Sequence, residues 1–291
     1  MFTGLFTALI TPFEKERIDL DAFARLIEFQ IKSGVDGLVV CGTTGESAVM
    51  TPREYETVVK KGVEQVAGRV PVIVGTGGNN TAKVIENTLF AQRAGADAAL
   101  IVTPYYNKPT QEGLYLHFKA VHDATNLPIV LYNVPGRTGV CLSVETIARL
   151  AKLPRVAGVK DATPDIMRPL KIRKAVGADF SILSGEDASI VAFLAHGGDG
   201  CISVTANVAP ALCAGIHRAW AAGDRAELER LRDLLVDLHD AMFVETNPCP
   251  VKFAAAQLGF GDGSVRLPLC EISEKSKETV LAAMRQTGLA E

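Results

Sequence analysis

The sequence predicts an α/β protein, a (β/α)8 TIM barrel followed by a small C-terminal helical appendage. Three observations carry that expectation. Eight short β-type apolar runs recur along 291 residues, segments of helical period separate them, and after about Ala221 only helical patterns remain. Near-continuous apolar runs alternating with helices indicate strands buried on both faces of a parallel sheet, and eight such units favour closure over an open sheet. An open dinucleotide-binding sheet would carry a glycine fingerprint after its first strand. Here Leu9-Ile10-Thr11-Pro12-Phe13 follows, which cannot cradle a pyrophosphate. The catalytic barrel is expected over residues 1–222 and a helical domain over 223–291.

The eight runs are 5–10, 37–40, 72–75, 98–102, 129–132, 156–160, 181–184 and 200–204. Helices between them announce themselves by their ends. Thr51-Pro52-Arg53-Glu54 offers an N-cap threonine, proline at the first helical position and glutamate at the third, a capping box. Val58, Val59, Val63 and Val66 give that helix its apolar face, and Gly68 is a natural terminator. One junction repeats four times: Gly34-Val35-Asp36-Gly37, Gly95-Ala96-Asp97-Ala98, Gly177-Ala178-Asp179-Phe180 and Gly197-Gly198-Asp199-Gly200. Each joins a glycine able to take positive φ at a helix end to a short polar link into the next strand. Beyond the barrel, 226–244, 250–258 and 273–287 read as helices.

Composition narrows the function. The chain is 48% hydrophobic and 22% charged with a formal net charge of −3, so nothing draws it electrostatically to nucleic acid or an anionic membrane. No apolar stretch is long enough to span a bilayer. The charge runs at 14–17 and 271–277 read as solvated faces. The amino-terminal MFTGLFTALITPF has no basic segment before it and reads as a first strand rather than a signal peptide. Six cysteines occur without a CxxC, and Cys41 and Cys201 fall inside strand-like runs. Reduced thiols in a cytoplasmic protein are expected.

In such barrels the active site is built at the carboxyl ends of the strands. Lys160 stands at one such end, after Val156-Ala157-Gly158-Val159. Alternation puts it on the same side as Gly158, which is expected to leave room beside it. An interior position would strip hydration from its ammonium and favour the neutral, nucleophilic amine; the alternative is a lysine that snorkels to solvent. Tyr132 ends the adjacent run, where it could relay protons or simply fill the barrel mouth. The glycine-rich turn 42–45 could offer hydroxyls and backbone N–H groups to a carboxylate. Arg137 suits bidentate carboxylate recognition, or is an ordinary surface arginine.

Other chemistries find less support. The five histidines show no metal-ligand spacing, and His117 and His122 lie five apart, where three or four would share a helix face. No Gly-x-Ser-x-Gly elbow is present. Glu46, Glu186 and Asp187 read as helix-start acids rather than as a magnesium site. No metal is expected.

Five motifs in order, 42–47 (GTTGES), 103–109 (TPYYNKP), 132–139 (YNVPGRTG), 158–161 (GVKD) and 200–207 (GCISVTAN), resemble the dihydrodipicolinate synthase and N-acetylneuraminate lyase family of class I aldolases. The resemblance spans nearly the whole chain. It implies a Schiff-base lysine at Lys160, a proton donor and acceptor at Tyr132, and Thr43 and Tyr106 as the other members of a hydroxyl relay. Tyr106 would be lent by a neighbouring subunit of a homotetramer built as a dimer of dimers. Thr44 and Ile202 match pyruvate-binding positions, Gly185 lies on the pocket wall, and Arg137 matches the arginine that binds the second substrate's carboxylate.

The implied reaction condenses pyruvate with L-aspartate 4-semialdehyde, in diaminopimelate and lysine biosynthesis, without a cofactor. Two alternatives accompany it: a sugar-acid aldolase or dehydratase of the same family, and a non-catalytic small-molecule-binding barrel. Ser47, Ala48, Asn79 and Tyr105 match a regulatory lysine site of the family. Lys83 stands where lysine-sensitive members carry glutamate, and Pro52 and Tyr55 replace histidines. An amine ligand would meet like charge at Lys83, so lysine feedback is expected to be weak or absent.

Overall fold

The structure, a computed structural model, describes residues 1–290. Its strands are β1 (Gly4–Ala8), β2 (Phe13–Glu14), β3 (Arg17–Ile18), β4 (Gly37–Val40), β5 (Val72–Gly75), β6 (Ala98–Val102), β7 (Ile129–Asn133), β8 (Val156–Asp161), β9 (Ser181–Ser184) and β10 (Gly200–Ser203). Eight of them close a parallel barrel in the order β1-β10-β9-β8-β7-β6-β5-β4, the architecture the apolar runs predict.

Helices alternate with the strands: α1 (Leu20–Lys32), α2 (Pro52–Val66), α3 (Thr81–Ala94), α4 (Gln111–Ala124), α5 (Pro135–Thr138), α6 (Val144–Leu150), α7 (Arg168–Val176), α8 (Ile190–Ala195) and α9 (Pro210–Ala222). After them come α10 (Arg225–Ala241), α11 (Cys249–Gln257) and α12 (Glu274–Gln286) with no further strand among the described residues.

The chain forms two compact units, one of Met1–Gly4 with Pro71–Ile202, the other of Leu5–Val70 with the residues from Ser203 onward. In the second unit the capping box forms as expected: Glu54 N–H donates to Thr51 Oγ1 at 3.2 Å, and Thr51 N–H donates to Glu54 Oε2 at 2.8 Å. β1 is shorter than its apolar run. Leu9 N–H still donates to Val39 O of β4 at 2.9 Å, but Ile10 N–H donates to Asn207 Oδ1 at 2.9 Å, so the ladder ends at Leu9 although both residues stay buried. Buried Gln30 accepts from Thr7 Oγ1 at 2.7 Å and donates to Ala206 O at 2.9 Å, which satisfies a polar side chain inside the core.

Apolar periodicity alone gave no sign of the two-stranded sheet of β2 and β3. It pairs Phe13 with Ile18 through a turn in which Lys15 and Glu16 hold φ of 50° and 65°. The charge run at 14–17 is therefore a hairpin, solvated at its tip as its composition suggests.

The repeated junction is a structural device. Gly34, Gly95, Gly177 and Gly197 hold φ between 82° and 90°, as helix termination requires. The aspartate two residues on does more than solvate a loop. Asp36 accepts from Leu5 N–H, Asp97 from Val72 N–H and Asp199 from Ile182 N–H, each at 2.7 Å, while the aspartate's own N–H donates back to that residue's carbonyl. Three of the four copies thus tie the start of one strand to the start of the next.

Candidate active site

The residue pairing of β7 and β8 organises the site. A register shift at Ile129/Val130 adds one residue to β8, after which Val130 pairs with Gly158, Leu131 with Val159, Tyr132 with Lys160 and Asn133 with Asp161. Paired residues of parallel strands point to the same face, and successive residues to opposite faces. Lys160 and Tyr132 therefore share one face, and both are buried, with 6% and 8% of their surface exposed. Lys160 Nζ lies 4.4 Å from the centre of the Tyr132 ring, and no carboxylate pairs with it among the described residues. Gly185, at the end of β9, leaves the room: a Cβ there would lie 3.0 Å from Lys160 Cε and 2.5 Å from Ala162 Cβ. The space beside Gly158 is taken instead by Ser181, whose backbone oxygen would meet a Cβ at 2.6 Å.

The opposite face of the same strand ends carries the negative charge. Asp161 accepts four hydrogen bonds: Arg168 Nε at 2.7 Å and Asn133 Nδ2 at 3.1 Å on Oδ2, Thr163 Oγ1 at 2.5 Å and Thr163 N–H at 3.1 Å on Oδ1. Its side chain is 2% exposed and that of Arg168 12%. Asn133 Oδ1 in turn accepts from Leu142 N–H at 2.8 Å, and Arg168 Nη2 donates to Leu142 O. Every lone pair of the buried carboxylate is occupied, so Asp161 has none left for the neighbouring lysine. Neither Asn133, Asp161 nor Arg168 was singled out from the sequence. The alternation that marks Lys160 as interior marks Asp161 as its outward neighbour, and that signal was there to be read.

The remaining candidates occupy varied surroundings. Ile202 is fully buried at the end of β10. Arg137 lies exposed on α5, the short helix that follows β7. Tyr106, in the loop between β6 and α4, is 88% exposed and holds φ of 71°, and no hydrogen bond joins it to Tyr132 among the described residues. In the turn after β4, Thr43 is exposed while Thr44 is buried and accepts from Asn247 Nδ2 at 3.0 Å.

Glu46 is not the helix-start acid its position suggested. It stands before the short 3-10 turn Ser47–Val49 with φ of 54°, but its side chain caps none of that turn's N–H groups; it accepts instead from Lys252 Nζ at 2.5 Å in a pair where both side chains are 1% exposed. His117 is buried, its Nδ1 2.9 Å from Thr81 Oγ1, and burial pushes its pKa down to about 4. Among the described residues no group of three His, Cys, Asp or Glu side chains could hold a metal.

The family model described as the dihydrodipicolinate synthetase family matches residues 1–287. The chain belongs to that family. It is 58% identical over 289 residues to a 4-hydroxy-tetrahydrodipicolinate synthase of Rhodospirillum centenum, covering 99% of both chains. The dihydrodipicolinate synthase of Aquifex aeolicus superimposes with a TM-score of 0.97 at 42% identity, covering 99% of both chains. A chloride-inhibited dihydrodipicolinate synthase from Acinetobacter baumannii, solved in complex with pyruvate, matches with a TM-score of 0.96 at 41% identity, over 99% of this chain and all of that one. Family membership makes the chain an enzyme, a lyase of the class I aldolase type.

Removing the outer carboxylate leaves Arg168 uncompensated in a largely buried place. Asp161→Ala is expected to cost ~3–5 kcal/mol in denaturant unfolding. Asp165→Ala, which breaks the exposed pair with Lys171 at 3.2 Å and an exposed bond from Met167 N–H at 2.9 Å, is expected to cost at most ~1 kcal/mol. Equal effects of the two substitutions would show that the Asp161 network adds nothing.

Proposed function

We propose that the chain is a 4-hydroxy-tetrahydrodipicolinate synthase that condenses pyruvate with L-aspartate 4-semialdehyde through a Schiff base on Lys160. The observation that carries this reading is a buried lysine, with no carboxylate partner among the described residues, set against a tyrosine ring at the carboxyl ends of adjacent barrel strands. The amine of Lys160 adds to the pyruvate ketone, and loss of water gives an iminium. That iminium withdraws electrons from the methyl group, which gives up a proton and becomes an enamine carbon. The enamine carbon attacks the aldehyde, and the product's own amine displaces Lys160 as the ring closes.

Tyr132 serves as proton donor and acceptor while the carbinolamine forms and collapses, with Thr43 and Tyr106 completing the relay. Thr44 and Ile202 hold pyruvate, Gly185 forms the wall beside the iminium, and Arg137 receives the carboxylate of the aldehyde substrate. The lysine supplies the electron sink, so this chemistry calls for no metal or organic cofactor. The 88% exposure of Tyr106 supports its use by a second copy of the chain in a tight dimer, and the family resemblance implies that two such dimers form a homotetramer. Six free cysteines, four of them buried, suit a cytoplasmic enzyme. No helix among the described residues is long and apolar enough to cross a membrane.

Steady-state kinetics test the choice of aldehyde. Turnover of pyruvate with L-aspartate 4-semialdehyde is expected to exceed that with sugar-acid substrates by roughly tenfold or more in kcat/KM. Equal or better turnover of the sugar acids contradicts the assignment.

Feedback is the second point of test. Lys83 sits in the first turn of α3 and pairs with Glu86 at 3.0 Å, both side chains largely exposed. Lys83 thereby places an ammonium where a lysine-binding site would need an acid. Initial rates are expected to be unchanged by L-lysine at submillimolar concentration. Half-inhibition below about 1 mM overturns this expectation.

A further inference from the structure

The turn 42–47 is gripped at two points by one short segment some two hundred residues further along the chain. Asn247 Nδ2 donates to Thr44 Oγ1 at 3.0 Å, with both residues at least 95% buried. Lys252, five residues on and within α11, donates to Glu46 Oε1 at 2.5 Å, and Arg266 N–H donates to Glu46 Oε2 at 3.0 Å. Lys252 Nζ also stands 3.5 Å from the centre of the fully buried Phe13 ring, which adds cation–π attraction to the ion pair. Burial pushes the ammonium of Lys252 below the usual lysine value, and Glu46 opposes that shift. The grip therefore fixes a backbone that is itself in the left-handed region at Glu46.

The bond at Thr44 has a directional consequence. A threonine hydroxyl carries one proton and two lone pairs. An amide N–H that occupies a lone pair leaves the proton to be donated elsewhere, and a hydroxyl set as donor is what a carboxylate needs. We infer that Asn247 is a positioning residue that sets Thr44 as the hydrogen-bond donor to the carboxylate of pyruvate. This rests on the proposal that Thr44 binds pyruvate.

The test is the pyruvate KM of four forms of the full-length enzyme: Thr44→Val, Asn247→Asp, Asn247→Ala and the double variant T44V/N247D. A carboxylate at 247 accepts but does not donate, so it claims the Thr44 proton and adds negative charge beside it. N247D is expected to raise the pyruvate KM roughly tenfold or more, with the KM of the aldehyde held within about twofold. N247A, which removes the donor without adding charge, is expected to raise it by less, and carries the same reading if N247D does not fold. The double variant is expected to match T44V within about twofold, because Asn247 acts through Thr44.

A raised KM in T44V beside an unchanged KM in both Asn247 variants overturns the inference alone. An unchanged KM in T44V removes Thr44 from the pyruvate site, and the inference falls with it. Additive effects in the double variant, or equal rises in both substrates' KM values, would mark Asn247 as merely structural and overturn the inference as well.

Discussion

The structure turns on the pairing of β7 with β8. One register places Tyr132 beside Lys160 on one face and Asn133 beside Asp161 on the other. Neighbouring residues of opposite charge, Lys160 and Asp161, would neutralise each other if both faced the same side. The strand's alternation separates them, and four hydrogen bonds hold the carboxylate on the outer face. A nucleophilic amine needs burial without a resident counter-ion, and this arrangement supplies both. A slip of one residue would exchange the two faces and put the aspartate where the lysine stands.

The same logic of tying one strand end to another recurs around the molecule. At the helix-to-strand links, Asp36, Asp97 and Asp199 each exchange two hydrogen bonds with the first residues of the preceding strand. At the end of β1, Asn207 takes over the N–H of Ile10 and so terminates the ladder. Near the turn after β4, Asn247 and Lys252 do comparable work on Thr44 and Glu46. Buried polar side chains in this protein are mostly committed to backbone or to one another, which is why a buried lysine without such a commitment stands out.

Much of the fold was legible because it rests on local signals. Apolar runs gave every barrel strand to within about two residues, the Thr51 capping box formed as read, and the four junction glycines all hold positive φ. What escaped reading was non-local. Nothing around Phe13 announces a hairpin whose turn needs positive φ at Lys15 and Glu16, residues without a strong preference for it. Glu46 looked like a helix-start acid because its partners, Lys252 and Arg266, lie over two hundred residues away. Of the candidate site, alternation marked Lys160 and Tyr132, but it credited Gly158 with the space that Gly185 leaves. Tyr106 and Ile202 were legible only through family resemblance; the turn that holds Thr43 and Thr44, and Arg137, suggested carboxylate contacts by their chemistry but took definite roles only from the resemblance, since an exposed arginine or tyrosine carries little local signal of a ligand.

The central claim is that Lys160 is the nucleophile toward pyruvate, and its most direct test is chemical. Incubation with pyruvate, reduction with borohydride and peptide mass spectrometry are expected to give one reduced pyruvate adduct on the peptide carrying Lys160, and none in Lys160→Ala. Absence of the adduct in the unaltered enzyme, or its appearance on another lysine, would contradict the account.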